Sequence, residues 1–245
     1  INFDNAATTP PFKRVMKKVL ETSEYYGSIA RGDGKKSQYC SDLYDSSRKY
    51  ILEYFNAPED IYTAIFVGNT TDGLNKLSNI LIESKEDIVI TTRMEHHSND
   101  LPWRNKCDLK HVEVDKDGRI KVEDIEELLD KYQEKVKYVT VTGASNVTGY
   151  VNDIRRIAKA THRYGAKIIV DGAQLIPHKK ISMIQDDITE NIDFLVFSGH
   201  KIYAPFGSGV IIGLREIFNE KEPSSKGGGT VQIVLDNRQL WLDTP

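Results

Sequence analysis

Residues 154–174 read IRRIAKATHRYGAKIIVDGAQ, and the order of residue types in that stretch decides the fold class. The apolar positions of residues 154–164 recur at helical spacing, and Gly165 stands where a helix C-terminal glycine belongs. Lys167–Asp171 is then a short β-branched run of the kind that forms a buried strand, ending on an acid. The same alternation extends in both directions. Strand-like runs fall at Tyr62–Val67, 87–91, Val136–Thr142, 194–197 and 210–214, with helical patterns at 47–55, 72–82 and 122–133. Strands alternating with helices predict a three-layer α/β/α unit with a central, mostly parallel, mixed sheet. Ligands in such sheets collect at the carboxyl ends of the strands, so the polar residues after each apolar run are the ones to inspect.

Two runs end on ionisable groups. Asp171, in Asp171-Gly172-Ala173-Gln174, sits where a buried strand runs out. It reads either as a cap for the next helix or as a counter-ion for a cationic ring nitrogen. Ser198-Gly199-His200-Lys201 follows the second run. A lysine there is desolvated and suited to nucleophilic or imine chemistry, whereas the alternative is a side chain reaching back to solvent. Gly68, Thr70 and Thr71 lie between a strand and a helix start, where backbone N–H groups and the helix dipole favour a phosphate. Ser198 and His200 are candidates for further phosphate contacts.

Glu95-His96-His97 suggests a metal at first sight, but neighbouring residues on an extended strand point to opposite faces and no third ligand is near in sequence. No metal is expected. An imidazole there can instead stack on a flat aromatic ligand. Asn146, after another strand, reads as a ligand contact or as a turn residue.

Composition narrows the function classes. The 245 residues suffice for one large domain, and 33 basic against 36 acidic side chains give a net charge of −3, with no general attraction to nucleic acid or anionic membrane. No stretch approaches the roughly 18 apolar residues of a membrane span. Two cysteines, Cys40 and Cys107, are too few for a disulfide framework, so a cytoplasmic location is the expectation. No G-x-G-x-x-G motif follows a strand, which argues against a nicotinamide dehydrogenase.

Taken in order, these segments resemble the class V aminotransferase family of fold-type I pyridoxal 5'-phosphate (PLP) enzymes, and most closely its cysteine desulfurase branch. The opening Phe3-Asp4-Asn5-Ala6-Ala7-Thr8-Thr9-Pro10 resembles the family's first motif and Arg31-Gly32 its substrate-side loop. Glu95-His96-His97-Ser98-Asn99 through Pro102-Trp103 resembles the group II desulfurase pattern. Asp171-Gly172-Ala173-Gln174 and Ser198-Gly199-His200-Lys201 are the strongest matches, and Gly227-Gly228-Gly229-Thr230 falls where the family has a glycine-rich phosphate loop.

The resemblance implies that Lys201 holds PLP as a Schiff base and shuttles the substrate's α-proton. Asp171 would pair with the pyridinium nitrogen, Gln174 would face the phenolic oxygen, and His96 would stack on the ring. Asn146 would meet the ring edge or the substrate carboxylate, and Arg31 the substrate. Thr70, Thr71, Ser198 and His200 would hold the phosphate. It further implies a homodimer, with Thr230 reaching the neighbour's phosphate, an amino-acid substrate and a sulfur-acceptor protein. Residues 1–245 would be the PLP-binding large domain, with 1–30 packing against a small carboxy-terminal domain that this chain lacks. That domain's carboxylate-binding arginine and desulfurase cysteine are not found here, and the first residue is not methionine, so the chain reads as a piece of a longer protein that binds cofactor without turning over. A transaminase, epimerase or other lyase is the alternative inside the family, and a non-catalytic scaffold the alternative outside it.

Overall fold

In the computed structural model, which describes residues 3–29 and 32–242, seven strands form one sheet. They are β1 (Tyr62–Val67), β2 (Ile88–Thr92), β3 (Asp108–Val112), β4 (Val136–Thr142), β5 (Lys167–Asp171), β6 (Phe194–Ser198) and β7 (Gly209–Leu214). The order across the sheet is β1-β7-β6-β5-β4-β2-β3. β7 runs antiparallel to both β1 and β6, and every other pairing is parallel. The expected mixed, mostly parallel sheet is present.

Four strands, β2, β5, β6 and β7, are buried at nearly every position, and their centres are apolar for that reason. Successive side chains point to opposite faces, yet Phe194–Ser198 and Gly209–Leu214 are buried throughout, so both faces are covered. The helices are α1 (Lys13–Ser23), α2 (Lys35–Tyr54), α3 (Thr70–Leu81), α4 (Val122–Tyr132), α5 (Ile154–His162) and α6 (Arg215–Glu220). Helix α2 packs on β1, α3 on β6 and β7, α4 on β2 and β3, and α5 on β5. The helix read at 47–55 begins far earlier, at Lys35, because its first half carries few apolar residues. α1 buries no residue, although its apolar residues Val15, Met16, Val19 and Leu20 recur at helical spacing. A separate hairpin, β8 (Val231–Leu235) and β9 (Arg238–Trp241), follows α6.

Gly165 has φ +70°, the left-handed conformation that ends α5 and returns the chain into β5. Where that return is made, His162 is held at both ring nitrogens. Nε2 lies 2.7 Å from Asp193 Oδ2 and Nδ1 lies 2.7 Å from the Thr189 carbonyl. Both partners are acceptors, so the ring carries both protons. Burial opposes that charge and Lys167 repels it, but the hydrogen bond and attraction from Asp193, with the Thr189 carbonyl, hold the imidazole above its ordinary range. A raised histidine pKa stabilises the fold below the unfolded value of about 6.5, and the contribution is lost as pH rises through the folded value. His162→Gln is therefore expected to cost on the order of 1–2 kcal/mol near pH 6 and markedly less near pH 9, read as urea midpoints. An equal loss at both pH values would show that the ring is held for its shape alone.

Candidate active site

Parallel pairing places the carboxyl ends of β4, β5 and β6 side by side, with Thr142 opposite Asp171 and Asp171 opposite Val196. Above them lies a cavity of about 500 Å³ lined by Thr70, Thr71, His96, Asn146, Asp171, Gln174, Ser198, His200 and Lys201, among others. Residues from six separate segments of sequence thus meet in one place. A larger, more open depression of about 730 Å³ lies elsewhere, around Arg155 and Lys180. Arg155 is already spent on the carbonyls of Glu190 and Ser182, and no strand-end acid and lysine converge there.

The acid of the site is Asp171, only 3% exposed. Burial pushes its carboxyl above the usual range, against the opposing pull of the Ala173 N–H, Lys201 and His96. Asp171 Oδ1 accepts from Ala173 N at 2.9 Å, but residues 173–178 form turns rather than a helix, so it braces a turn and not the helix start that the cap reading expected. A turn does not need a buried acid, however, and a carboxylate in this setting calls for a cation. Lys201 lies on the wall of the same cavity at the end of the turn after β6, and is partly exposed rather than buried as the sequence suggested.

The far wall is the N terminus of α3. Ser198 Oγ accepts from Thr70 N at 2.8 Å and lies 2.7 Å from Thr70 Oγ1, which ties the end of β6 to the first turn of the helix. Asn69 caps that turn through Asp72 N, and Asp72 in turn accepts from Gly68 N. Gly209, in β7, passes so close that a Cβ there would lie 2.8 Å from Asn69 Cα, so only glycine fits. The result is a rigid, electropositive helix end facing the lysine.

The N-terminal segment closes over this arrangement. The His200 carbonyl accepts from Thr9 N at 2.8 Å and from the hydroxyls of Thr8 and Thr9. Phe12 stacks on Tyr203, with ring centroids 4.2 Å apart and nearly parallel. Gln174 Nε2 donates to the Ala6 carbonyl at 2.9 Å. Tyr203 itself sits at φ +64°, a left-handed conformation that this strap and its neighbours hold in place.

A family model described as aminotransferase class-V matches residues 1–245. The chain belongs to the class-V aminotransferase family. Among its relatives, a probable cysteine desulfurase of Borreliella burgdorferi is 34% identical over 98% of this chain and 58% of its own length. A cysteine desulfurase of Haloferax volcanii is 32% identical over 100% of this chain and again 58% of its own. The apo structure of a cysteine desulfurase from Thermococcus onnurineus NA1 superposes with a TM-score of 0.87 at 31% identity, covering 99% of this chain and 60% of that one. The chain thus spans about three fifths of the length of these relatives, and its fold is that of the large domain of fold-type I PLP enzymes.

Within this class-V aminotransferase chain, one expected site residue among the described residues is not at the cavity. Thr230 lines a different crevice with Lys76, Phe218 and Trp241, so it contributes nothing to the site of its own chain. Arg31 lies outside the described residues. Another expectation needs correction. His96 and His97 are not on a strand; His96 caps a short turn at His97–Asn99, and its ring is oriented by that turn rather than by strand alternation. Cys40 and Cys107 are free thiols, and neither lines the cavity. Burial pushes the Cys107 thiol up to about 11, which suits a structural role under Trp103.

Sequence reasoning missed Glu95 as anything other than a possible metal ligand. Its carboxyl receives Asn99 Nδ2 at 2.6 Å and Thr92 Oγ1 at 2.7 Å. Burial pushes it up to about 8, opposed by Asn99, the Thr142 N–H and Thr92 and reinforced by Asp171. Asn99 continues the network to Thr140 and Trp103. Glu95 therefore anchors the His96 turn to the ends of β2 and β4.

Proposed function

We propose that the protein carrying this chain is a PLP-dependent cysteine desulfurase, converting L-cysteine to L-alanine and passing the sulfur to a thiol. The observation that carries this reading is the convergence of Lys201 and buried Asp171, from neighbouring strand ends, on one cavity walled by a helix N terminus. The residues present fit PLP. A buried carboxylate whose burial opposes its charge suits a protonated ring nitrogen, and the α3 N terminus suits a phosphate. Bound PLP supplies an electron sink for the pair of electrons left at the substrate's α-carbon.

The chain's own residues do the rest. Lys201 Nζ would anchor the cofactor as a Schiff base and carry the proton of the α-carbon. Asp171 would keep the ring nitrogen protonated, and His96 would cover one face of the ring. Gln174 and Asn146 would border its polar edge, while Thr70, Thr71, Ser198 and His200 would hold the phosphate end. Arg31 is assigned to the substrate carboxylate side on the family resemblance.

The wider assembly is part of the same proposal. Exposed Phe12, Leu20 and Tyr26 support packing of residues 1–30 against a further, small domain, since the matched relatives are longer. Exposed Ile233, Val234 and Leu240 on the β8–β9 hairpin support a homodimer in which Thr230 approaches the neighbour's site. With no cavity thiol among the described residues, the sulfur would leave on a cysteine outside them or on an acceptor protein. Free Cys40 and Cys107 suit a reducing, cytoplasmic setting.

The test is product analysis of the PLP-loaded protein given L-cysteine and excess reducing thiol. Alanine and sulfide in equal amounts are expected: the C–S electron pair stays with the β-carbon, which is protonated, the sulfur passes to a thiol as a persulfide, and a second thiol releases it as sulfide by forming a disulfide. A keto acid that keeps its sulfur would establish a transaminase instead, and pyruvate with ammonia a β-eliminating lyase. Cofactor binding with no reaction of any amino acid would favour a scaffold.

A further inference from the structure

His96 makes contacts that fix more than its position. Its Nδ1 lies 3.1 Å from the backbone N of Ser98, which donates to it, and 2.8 Å from the Ser98 hydroxyl. The Ser98 hydroxyl in turn lies 2.7 Å from the Thr71 hydroxyl. Thr71, Ser98 and His96 all line the cavity.

The directions of these bonds are determined by chemistry. A neutral imidazole has one protonated nitrogen and one with a lone pair. A proton on Nδ1 would point at the Ser98 N–H, donor against donor, so Nδ1 carries the lone pair. The Ser98 hydroxyl then donates to Nδ1 as well, which leaves its oxygen to accept from Thr71. We infer that Ser98 is a positioning residue that holds His96 as the Nε2–H tautomer, through a hydroxyl chain running from Thr71 to Ser98 to His96 Nδ1.

Two consequences follow for the site, and these rest on the PLP reading given above. His96 offers a ligand its ring face and an Nε2–H donor, never a free Nδ1. The Thr71 hydroxyl donates to Ser98, and the Thr70 and Asp72 N–H groups are held by Ser198 Oγ and Asn69 Oδ1, so Thr71 would meet a phosphate at the α3 N terminus through its backbone N–H rather than its hydroxyl.

The measurement is made on the protein without PLP, so it can fail while cofactor binding holds, and the reverse. Two-bond proton–nitrogen NMR spectra of histidine-labelled protein distinguish the tautomers, with His96→Gln identifying the signals. The parent is expected to show His96 as Nε2–H. Ser98→Ala should lower the Nε2–H to Nδ1–H ratio about five- to tenfold, the effect of removing one hydrogen bond. Ser98→Thr should restore it, and Thr71→Val, which leaves the His96 turn untouched, should shift it in the same direction as Ser98→Ala. An Nδ1–H ring in the parent, or a Ser98→Ala spectrum identical to the parent's for His96, would overturn the inference. If Ser98→Ala fails to fold, an unchanged tautomer ratio in Thr71→Val overturns it equally.

Discussion

Asp171→Asn is expected to stabilise the PLP-free chain and to weaken its hold on PLP, two changes of opposite sign from one substitution. The Asp171 carboxyl is pushed above the usual range chiefly because it is removed from water. A raised carboxylate pKa means that the folded chain binds the proton more tightly than the unfolded one. Stability therefore falls as pH rises from the unfolded value of about 3.9 through the folded one, and that cost is fully present above it. Asparagine keeps an oxygen for the Ala173 N–H and removes the buried charge. The ligand-free chain should gain on the order of 1 kcal/mol in urea denaturation. With PLP present, the lost partner is a charge-assisted hydrogen bond worth about 1.5–3 kcal/mol, so affinity should fall roughly 10- to 150-fold. If Asp171 served only to brace the Ala173 turn, asparagine would do as well in both measurements. No change in either would remove the counter-ion reading.

The parts of the fold that were legible in the sequence are those where burial leaves one choice. β5 and β6 lie in the middle of the sheet with both faces covered, so nothing but apolar residues is tolerated until the strand ends. β3 is an edge strand whose Asp108, Lys110 and His111 reach solvent or partners, and it was not recognised. The β8–β9 hairpin pairs with no strand of the main sheet, and α1 carries an apolar face (Val15, Met16, Val19, Leu20) yet buries nothing, so the core fixes neither of them. Such segments are shaped by contacts that local sequence does not contain.

The site divides along the same line. Asp171, Ser198 and Lys201 were legible because each directly follows a buried run, where a polar residue needs a reason. The role of Glu95 was not: Thr92 and Asn99 lie within four residues of it, but the Thr142 N–H and neighbouring Asp171 reach it only through the sheet. The strap formed by Thr8, Thr9 and Phe12 over the Lys201 turn was equally hidden, because its contacts are separated by some 190 residues. Thr230, assigned by resemblance to a neighbour's phosphate, lies at a crevice away from the cavity of its own chain, a position that the glycine-rich stretch alone does not specify.

Everything proposed about chemistry depends on Lys201 being the residue that bonds the cofactor. The chain has many lysines, yet only Lys201 lines the cavity with Asp171. Surface amines also react with an aldehyde, but weakly and without a neighbouring carboxylate or phosphate cradle to retain it. The deciding measurement is borohydride reduction of the protein after mixing with PLP, followed by peptide mapping, on the parent and on Lys201→Ala. The account predicts one dominant label, on Lys201, in the parent and loss of that label in the variant. A label spread over surface lysines, or equal labelling of both proteins, would contradict it.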